Sequence, residues 1–340
     1  MIKNTIAKLV AGLSLTEDEA VLVMEEIMEG KATPAQLGAF LTALKVKGVT
    51  ATEITGLANV IRAKATKVNI DKPVIDIVGT GGDKADTFNI STTVAFVVAG
   101  VGLSVAKHGN RAASSRCGSA DVLEALGIKI DMDALQVGRC INEIGIGFMF
   151  AQAFHPAMKY AAVPRREIGI PTVFNILGPL ANPAGVKHMI LGVADKTLLE
   201  KIAMALKNLG CARAMVVRGE DGLDEITNST KTEVYEVADG TIKHYLIAPE
   251  DFGLPHAHPD ELKGGTAIEN AELLRGILAG STGPKRNIVL MNAAAALFVA
   301  GKVSGLKDGV RLAEEAIDNR SAAVKLEQLI QFSRNLETIR

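Results

Sequence analysis

Apolar positions in the first seventy residues recur at helical spacing, and polar start signals bracket them. Thr16 with Glu19 forms a capping box, and Ala20, Leu22, Val23 and Ile27 follow before Gly30 ends the run. Thr33, Pro34 and Gln36 supply an N-cap, a first-turn proline and a second box, with a stop at Gly48. Thr50 and Glu53 repeat the device for a third helix. The short connections predict an all-helical domain over 1–70, joined by part of 160–185.

After Lys72-Pro73, short runs rich in β-branched residues replace the helical period. Val74–Val78 runs straight into a glycine loop, as a buried parallel strand feeding a turn does. Leu103–Ala106, Gly147–Phe150, Met189–Gly192 and Ala214–Val217 are further strand candidates. Helical stretches such as Asp133–Ile144 and Lys196–Leu209 lie between several of them. This alternation predicts an α/β domain over 71–340 with a mostly parallel central sheet. One antiparallel excursion is expected, because Val234–Val237 and Ile242–Leu246 flank Asp239-Gly240. Helical patterns over Ala267–Leu278, Arg286–Val299 and Leu306–Asp318 close the chain before a polar tail.

At 340 residues the chain exceeds one ordinary core of roughly 150, which agrees with two domains. A 48% apolar share against 22% charged excludes wholesale disorder. Net charge is −1 and aromatic content 4% without Trp, so no nucleic-acid partner is indicated. No membrane partner is expected either: the longest apolar stretches, near Val94–Leu103 and Ile288–Ala300, fall short of the roughly 20 residues of a spanning helix. Lys8 interrupts the N-terminal stretch that a signal peptide would need. Cys117, Cys140 and Cys211 are too few and too scattered for a disulfide framework. A reducing compartment fits, and a cytoplasmic protein is expected.

Candidate chemistry begins at Asp76-Ile77-Val78-Gly79-Thr80-Gly81-Gly82-Asp83. Glycines at a strand end let backbone N–H groups approach an anion. Asn89, Ser91 and Thr92 then precede the apolar helix Val94–Ala99, so hydroxyls and a helix N-terminus point at the same place. A phosphate cradle is the sharp reading, a tight strand-to-helix turn the plain one. No Gly-Lys-Ser/Thr follows, and Lys84 stands where a dinucleotide fingerprint has its third glycine. After another strand come Lys107-His108-Gly109-Asn110-Arg111, then Ser114, Ser115, Arg116, Cys117, Gly118 and Ser119 before a helix at Ala120–Leu126. These cations and hydroxyls suit a second anionic group, unless they form only a solvated basic loop. Open α/β sheets bind ligands at strand carboxyl ends, which favours the former. Asp221-Gly222-Leu223-Asp224-Glu225 follows a third strand and reads as a magnesium site or as a solvated acidic loop.

In this order and spacing, GTGGD at 79–83, NIST at 89–92, KHGNRA at 107–112 with its trailing serine, and DGLDE at 221–225 resemble the anthranilate phosphoribosyltransferase family. The likeness continues through Phe154-His155-Pro156-Ala157-Met158-Lys159, Arg165-Arg166-Glu167 and the run from Phe174 to Leu180. It implies a fold of the nucleoside phosphorylase/phosphoribosyltransferase type, with the site between a small helical and a larger α/β domain. It also implies transfer of the phosphoribosyl group of 5-phosphoribosyl 1-pyrophosphate (PRPP) to anthranilate in tryptophan biosynthesis, with Mg2+, in a homodimer.

By the same resemblance, Gly79, Gly82, Asp83, Thr87, Asn89, Ile90, Ser91 and Thr92 would hold PRPP, together with Lys107 and Ser119. Ser91, Asp224 and Glu225 would bind magnesium and, with Lys107, form the catalytic set. Gly79, Asn110 and Arg165 would hold anthranilate, with His108 lining the pocket. Electrostatic catalysis without a dedicated general base is expected. Two positions depart from the pattern: Pro171 replaces a basic residue, and Cys117 a small hydroxyl residue.

A pyrimidine nucleoside phosphorylase of similar architecture would bind free phosphate and a nucleoside, and would lack the 89–92 run and the Asp224-Glu225 pair. A non-catalytic relative that binds nucleic acid is disfavoured by the balanced charge and the intact acidic pair. His256-Ala257-His258 resembles half a metal site but has no third ligand at helical or loop spacing. Met24 and Met28 read as core filling.

Overall fold

In the computed structural model, which describes residues 1–112 and 116–335, the N-terminal helices start where their caps stand. Thr16, Thr33 and Thr50 accept the N–H groups of Glu19, Gln36 and Glu53, whose side chains return a bond to each threonine N–H. The helices Glu17–Met28, Pro34–Lys47 and Ala51–Lys64 follow, and Ile2–Val10 precedes them. Ser114 and Ser115 of the basic loop, and the last five positions of the expected tail, lie outside the described residues.

The strands are β1 Val74–Gly79, β2 Ser104–Gly109, β3 Ile146–Phe150, β4 His188–Gly192, β5 Arg213–Gly219, β6 Thr232–Ala238 and β7 Thr241–Ile247. They form one sheet in the order β3-β2-β1-β4-β5-β6-β7. The five strands from β3 to β5 are parallel, and β6 and β7 add an antiparallel hairpin. Asp239 and Gly240 both take positive φ, 49° and 71°, as a two-residue turn with the right twist requires.

Three local expectations are corrected. β2 extends to Gly109, so Lys107 and His108 are strand residues rather than loop residues. The helix expected at Val94 begins at Ile90 and runs to Gly100, which puts Ser91 and Thr92 in its first turn instead of before it. The polar tail is instead a helix, Ser321–Asn335, that buries Leu326, Leu329 and Ile330 at helical spacing.

Alternation along the strands gives the sheet two apolar faces. Ile190, Met215 and Val217 join a core with the helices Ile90–Gly100, Ala267–Leu278 and Pro284–Val299. Met189, Leu191, Ala214 and Val216 point the other way, into a core with the N-terminal helices and the helix Leu199–Asn208. Phe174, Leu177 and Leu180 lie in that second core. Arg62 fastens it, donating from Nε to the Leu180 carbonyl at 2.5 Å and from Nη1 to the Leu209 carbonyl at 3.2 Å.

Glu53 does more than cap its helix. Its fully buried carboxylate accepts the Leu15 N–H at 2.9 Å and pairs with Lys47 Nζ at 2.9 Å. Glu53→Ala would strand a buried ammonium and two backbone donors, an expected loss of about 3–5 kcal/mol. Urea unfolding of the variant against the parent checks it.

Candidate functional site

β1, β2, β4 and β5 all end in glycine: Gly79, Gly109, Gly192 and Gly219. The chain runs outward from β1 through β2 to β3 and resumes on the other side with β4, so the topological switch point lies beside β1. Ligands of open α/β sheets bind at that place. The loop after β5 crosses it closely. A Cβ on Gly192 would lie 1.6 Å from the Asp224 carbonyl oxygen, and one on Gly79 2.4 Å from Asp224 Oδ2. Only glycine leaves Asp224 that room. Asn292, wholly buried, anchors the same loop by accepting the Ile226 N–H at 3.0 Å and donating to the Ile226 carbonyl at 2.8 Å.

Asp224 and Glu225 are buried, 9% and 8% exposed, so the solvated-loop reading falls. The Gly81 N–H donates to Asp224 Oδ2 at 2.7 Å. Glu225 Oε1 accepts the Ser91 N–H at 3.2 Å and also the Ser91 hydroxyl. Burial, then the charges of Asp83 and Glu225, raise the Asp224 carboxyl well above the usual range. Burial also pushes Glu225 up to about 7, against the pull of Ser91 and Lys107. Lys107, buried, donates from Nζ to the Ile77 carbonyl at 2.8 Å and feels both Asp76 and Glu225. Glu225, beside Lys107, and Asp224, beside Asp83 and Glu225, thus form a crowded set of carboxyls that suits a divalent cation. Magnesium takes one or two carboxylates and fills its shell with water and phosphate oxygens. Among the described residues no three His, Cys, Asp or Glu side chains form a metal-holding group by themselves.

The loop after β1 is fastened from outside. Gly81 and Gly82 take φ of 66° and 85°, and Lys84 and Asp86 take 59° and 51° without being glycine. Thr87 bridges to Lys263, the Phe88 N–H donates to the Leu262 carbonyl, and the Gly264 N–H to the Asp86 carbonyl. Asn89 turns inward: its Nδ2 donates to the Cys117 carbonyl at 3.2 Å, and its Oδ1 accepts from Asn270 Nδ2 at 3.0 Å. Ile90 and Thr92 are buried at the helix start. The Ser119 hydroxyl donates to the Asn110 carbonyl at 3.2 Å, and Asn110 Oδ1 accepts the Arg111 N–H at 2.8 Å.

The other wall is neutral. His108 and His155 meet Nε2 to Nε2 at 3.2 Å, and the Gly178 backbone also hydrogen-bonds His108. Burial pushes His108 down to about 3 and His155 to about 4, so both rings are uncharged near neutral pH. Gly178 belongs to the helix Phe174–Leu180, whose Phe174 ring lies 5.0 Å from the Arg165 guanidinium carbon. Arg165 is partly buried in the helix Lys159–Ile168, and no carboxylate among the described residues pairs with it. Pro171 is exposed beyond that helix.

The structure therefore gathers Gly79, Ser91, Lys107, Asp224 and Glu225, with Asp83 alongside, at one point. His108 and Asn110 stand at the next strand end, and Phe174 and Gly178 link Arg165 to them. Thr87 and Asn89 are engaged within the protein. Sequence reasoning assigned no role to Gly192, Asn292, His155, Asp76 or Asn182. For Asp76 the signal was present, a carboxylate inside an otherwise apolar strand.

Residues 71–323 match the family model for the a/b domain of a glycosyl transferase family, and residues 3–65 match the model for its helical bundle domain. The chain is 57% identical to the anthranilate phosphoribosyltransferase of Dehalococcoides mccartyi, over 99% of each chain. It superposes on the anthranilate phosphoribosyltransferase of Thermus thermophilus with a TM-score of 0.92 at 44% identity, covering 97% of this chain and 99% of that one. The Saccharomyces cerevisiae enzyme in complex with PRPP and Mg gives 0.90 at 30% identity over 98% of each chain. The chain belongs to the anthranilate phosphoribosyltransferase family, with that family's helical bundle and α/β fold. Among the described residues no helix is long and apolar enough to cross a membrane.

Proposed function

We propose that this chain transfers the phosphoribosyl group of PRPP to anthranilate, giving N-(5-phosphoribosyl)anthranilate and pyrophosphate, the second step of tryptophan biosynthesis from chorismate. The observation that carries this reading is the convergence of the Gly79–Gly82 loop, Ser91 and Lys107 on the buried Asp224–Glu225 pair. A nucleoside phosphorylase has no use for that buried acidic pair.

The anthranilate nitrogen forms a bond to the ribose carbon with its own electron pair. The bond from that carbon to pyrophosphate breaks, its electrons leave on the pyrophosphate, and the amine proton goes to water. An aryl amine is uncharged at neutral pH, so no residue is assigned as general base. Ser91, Asp224 and Glu225 would hold Mg2+, which when bound neutralises charge on the departing pyrophosphate. Lys107 and the loop amides around Gly79, Gly81 and Gly82 supply fixed positive ends at the same place. Arg165 offers its unpaired fork to the acceptor carboxylate, with Asn110 beside it and His108 as a neutral wall. The protein would act as a homodimer through the helical unit, where Val10, Leu13 and Val46 are 74%, 56% and 83% exposed.

Pyrophosphate release, followed by a coupled assay, should require anthranilate, PRPP and Mg2+ together. Arg165→Ala should raise the anthranilate KM far more than the PRPP KM, a loss of about 2–5 kcal/mol for a desolvated contact. Unchanged anthranilate dependence would remove Arg165 from the acceptor site. Asp224→Asn with Glu225→Gln should lower turnover and raise the Mg2+ requirement while anthranilate still binds. Wild-type rate and metal dependence in that double variant would refute the metal assignment. Light scattering at micromolar concentration should give a dimer, and a monomer would sink that claim.

A further inference from the structure

β1 is apolar except for Asp76, whose carboxyl is wholly buried. A buried charge is costly unless hydrogen bonds and opposite charge compensate it, so its presence in a central strand calls for a physical role. The pairing of β1 with β2 supplies one. β1 pairs with β4, and β2 with β3, out to their glycine or phenylalanine ends. β1 and β2 pair only at Val74 with Ser104 and Ile75 with Val105. Beyond Ile75 the ladder between the two strands stops, and side chains take backbone groups that a continued ladder would have paired. The His108 N–H donates to Asp76 Oδ1 at 3.3 Å. The Ala106 carbonyl accepts from Asn182 Nδ2 at 2.8 Å, and the Ile77 carbonyl accepts from Lys107 Nζ at 2.8 Å. The same Asn182 amide donates to Asp76 Oδ2 at 2.7 Å, while its Oδ1 is held by the Ala184 N–H at 2.9 Å.

We propose that Asp76 and Asn182 are positioning residues, a buried wedge that holds β1 and β2 apart at their carboxyl ends and sets Lys107 and His108 in the opening. Asp76 fixes the backbone on the far side of Lys107, and Asn182 fixes it on the near side. Neither residue is a ligand for substrate. Closing the ladder would draw the β2 backbone at Ala106 and His108 onto β1 and shift Lys107 with it. The inference rests on the proposed roles of Lys107 at the pyrophosphate and His108 at the acceptor.

The test compares Asp76→Asn, Asn182→Ala, their double variant and Lys107→Ala in the full chain, with thermal melting alongside steady-state kinetics in PRPP, anthranilate and Mg2+. Asp76→Asn is isosteric, yet it turns an amide donor toward either the His108 N–H or Asn182 Nδ2. Both single variants should lose at least about tenfold in kcat per folded molecule, the scale expected when a reacting geometry loosens. Half-saturating Mg2+ should stay within about twofold, because Gly81 and Asn292 hold the acidic loop independently of the wedge. The double variant should lose little more than the worse single one, as residues of one unit do. Lower melting temperatures with unchanged kcat and KM in the folded fraction would reduce the pair to packing and overturn the proposal. If Lys107→Ala itself keeps wild-type turnover, the reading of the site fails. If Lys107→Ala is impaired while Asp76→Asn and Asn182→Ala are not, only the wedge fails. Should Asp76→Asn not fold, Asn182→Ala decides by the same measurements.

Discussion

Two neighbouring carboxylates kept out of water set the terms for the rest of this molecule. Asp224 and Glu225 would be untenable at the edge of a sheet without donors close by. The donors come from three directions: the Gly81 N–H, the Ser91 N–H and hydroxyl, and the ammonium of Lys107 near Glu225. Ser91 can serve because it lies in the first turn of Ile90–Gly100, where unpaired N–H groups and the helix dipole favour negative charge. The close approach demands glycine at 79 and 192, so both strands must end there. Sheet order, helix start and loop path are thus fitted to one electrostatic problem.

Much of this was legible in the sequence because strong local signals agreed with the fold. The capping boxes at Thr16, Thr33 and Thr50 have a single mechanical reading, and the β-branched runs before glycine leave little choice of element. The residues of the acidic and glycine loops announced themselves by type. What sequence could not carry was contact across long separations. Asn292 holds Ile226 from a helix that reads as plain apolar filling, and Asn182 reaches Asp76 from beyond Pro179. Gly192 looked like any strand end, since its need arises only when Asp224 lies over it. The terminal helix Ser321–Asn335 was missed because its apolar positions are diluted by charged ones, and packing rather than composition makes it helical.

In the proposed function the wall of Arg165, His108 and His155 has a different task, recognising a carboxylate beside an amine without offering a competing acid. A charged histidine there would compete with Arg165 for the carboxylate it is proposed to bind. Burial prevents it by keeping His108 and His155 neutral, so the pair contributes shape and hydrogen bonding only. Arg165 is reserved in a complementary way. It rests against the Phe174 ring, a weak contact that orients the guanidinium without consuming its donors. Phe174 and Gly178 share one short helix, so the cation and the neutral wall are positioned by a single element.

The loops after β1 and β2 are fastened by different means, and the proposed chemistry gives the difference a use. The loop after β1 is held by backbone bonds to Leu262 and Gly264, by the Asn89–Asn270 contact and by the Asp224 carboxylate. In the described part of the loop after β2, Arg111 pairs with Asp121 and Glu124 in an exposed cluster, the Ala112 and Gly118 N–H groups donate to Asp121, and the Asn89 amide holds the Cys117 carbonyl. Exposed pairs contribute little and are screened by salt, whereas buried amide and carboxylate bonds keep their geometry. Electrostatic catalysis gains only from dipoles already in place when charge develops. In the proposed reaction the charge develops on the departing pyrophosphate, so dipoles fixed by bonds such as Gly81 N–H to Asp224 would serve at that end.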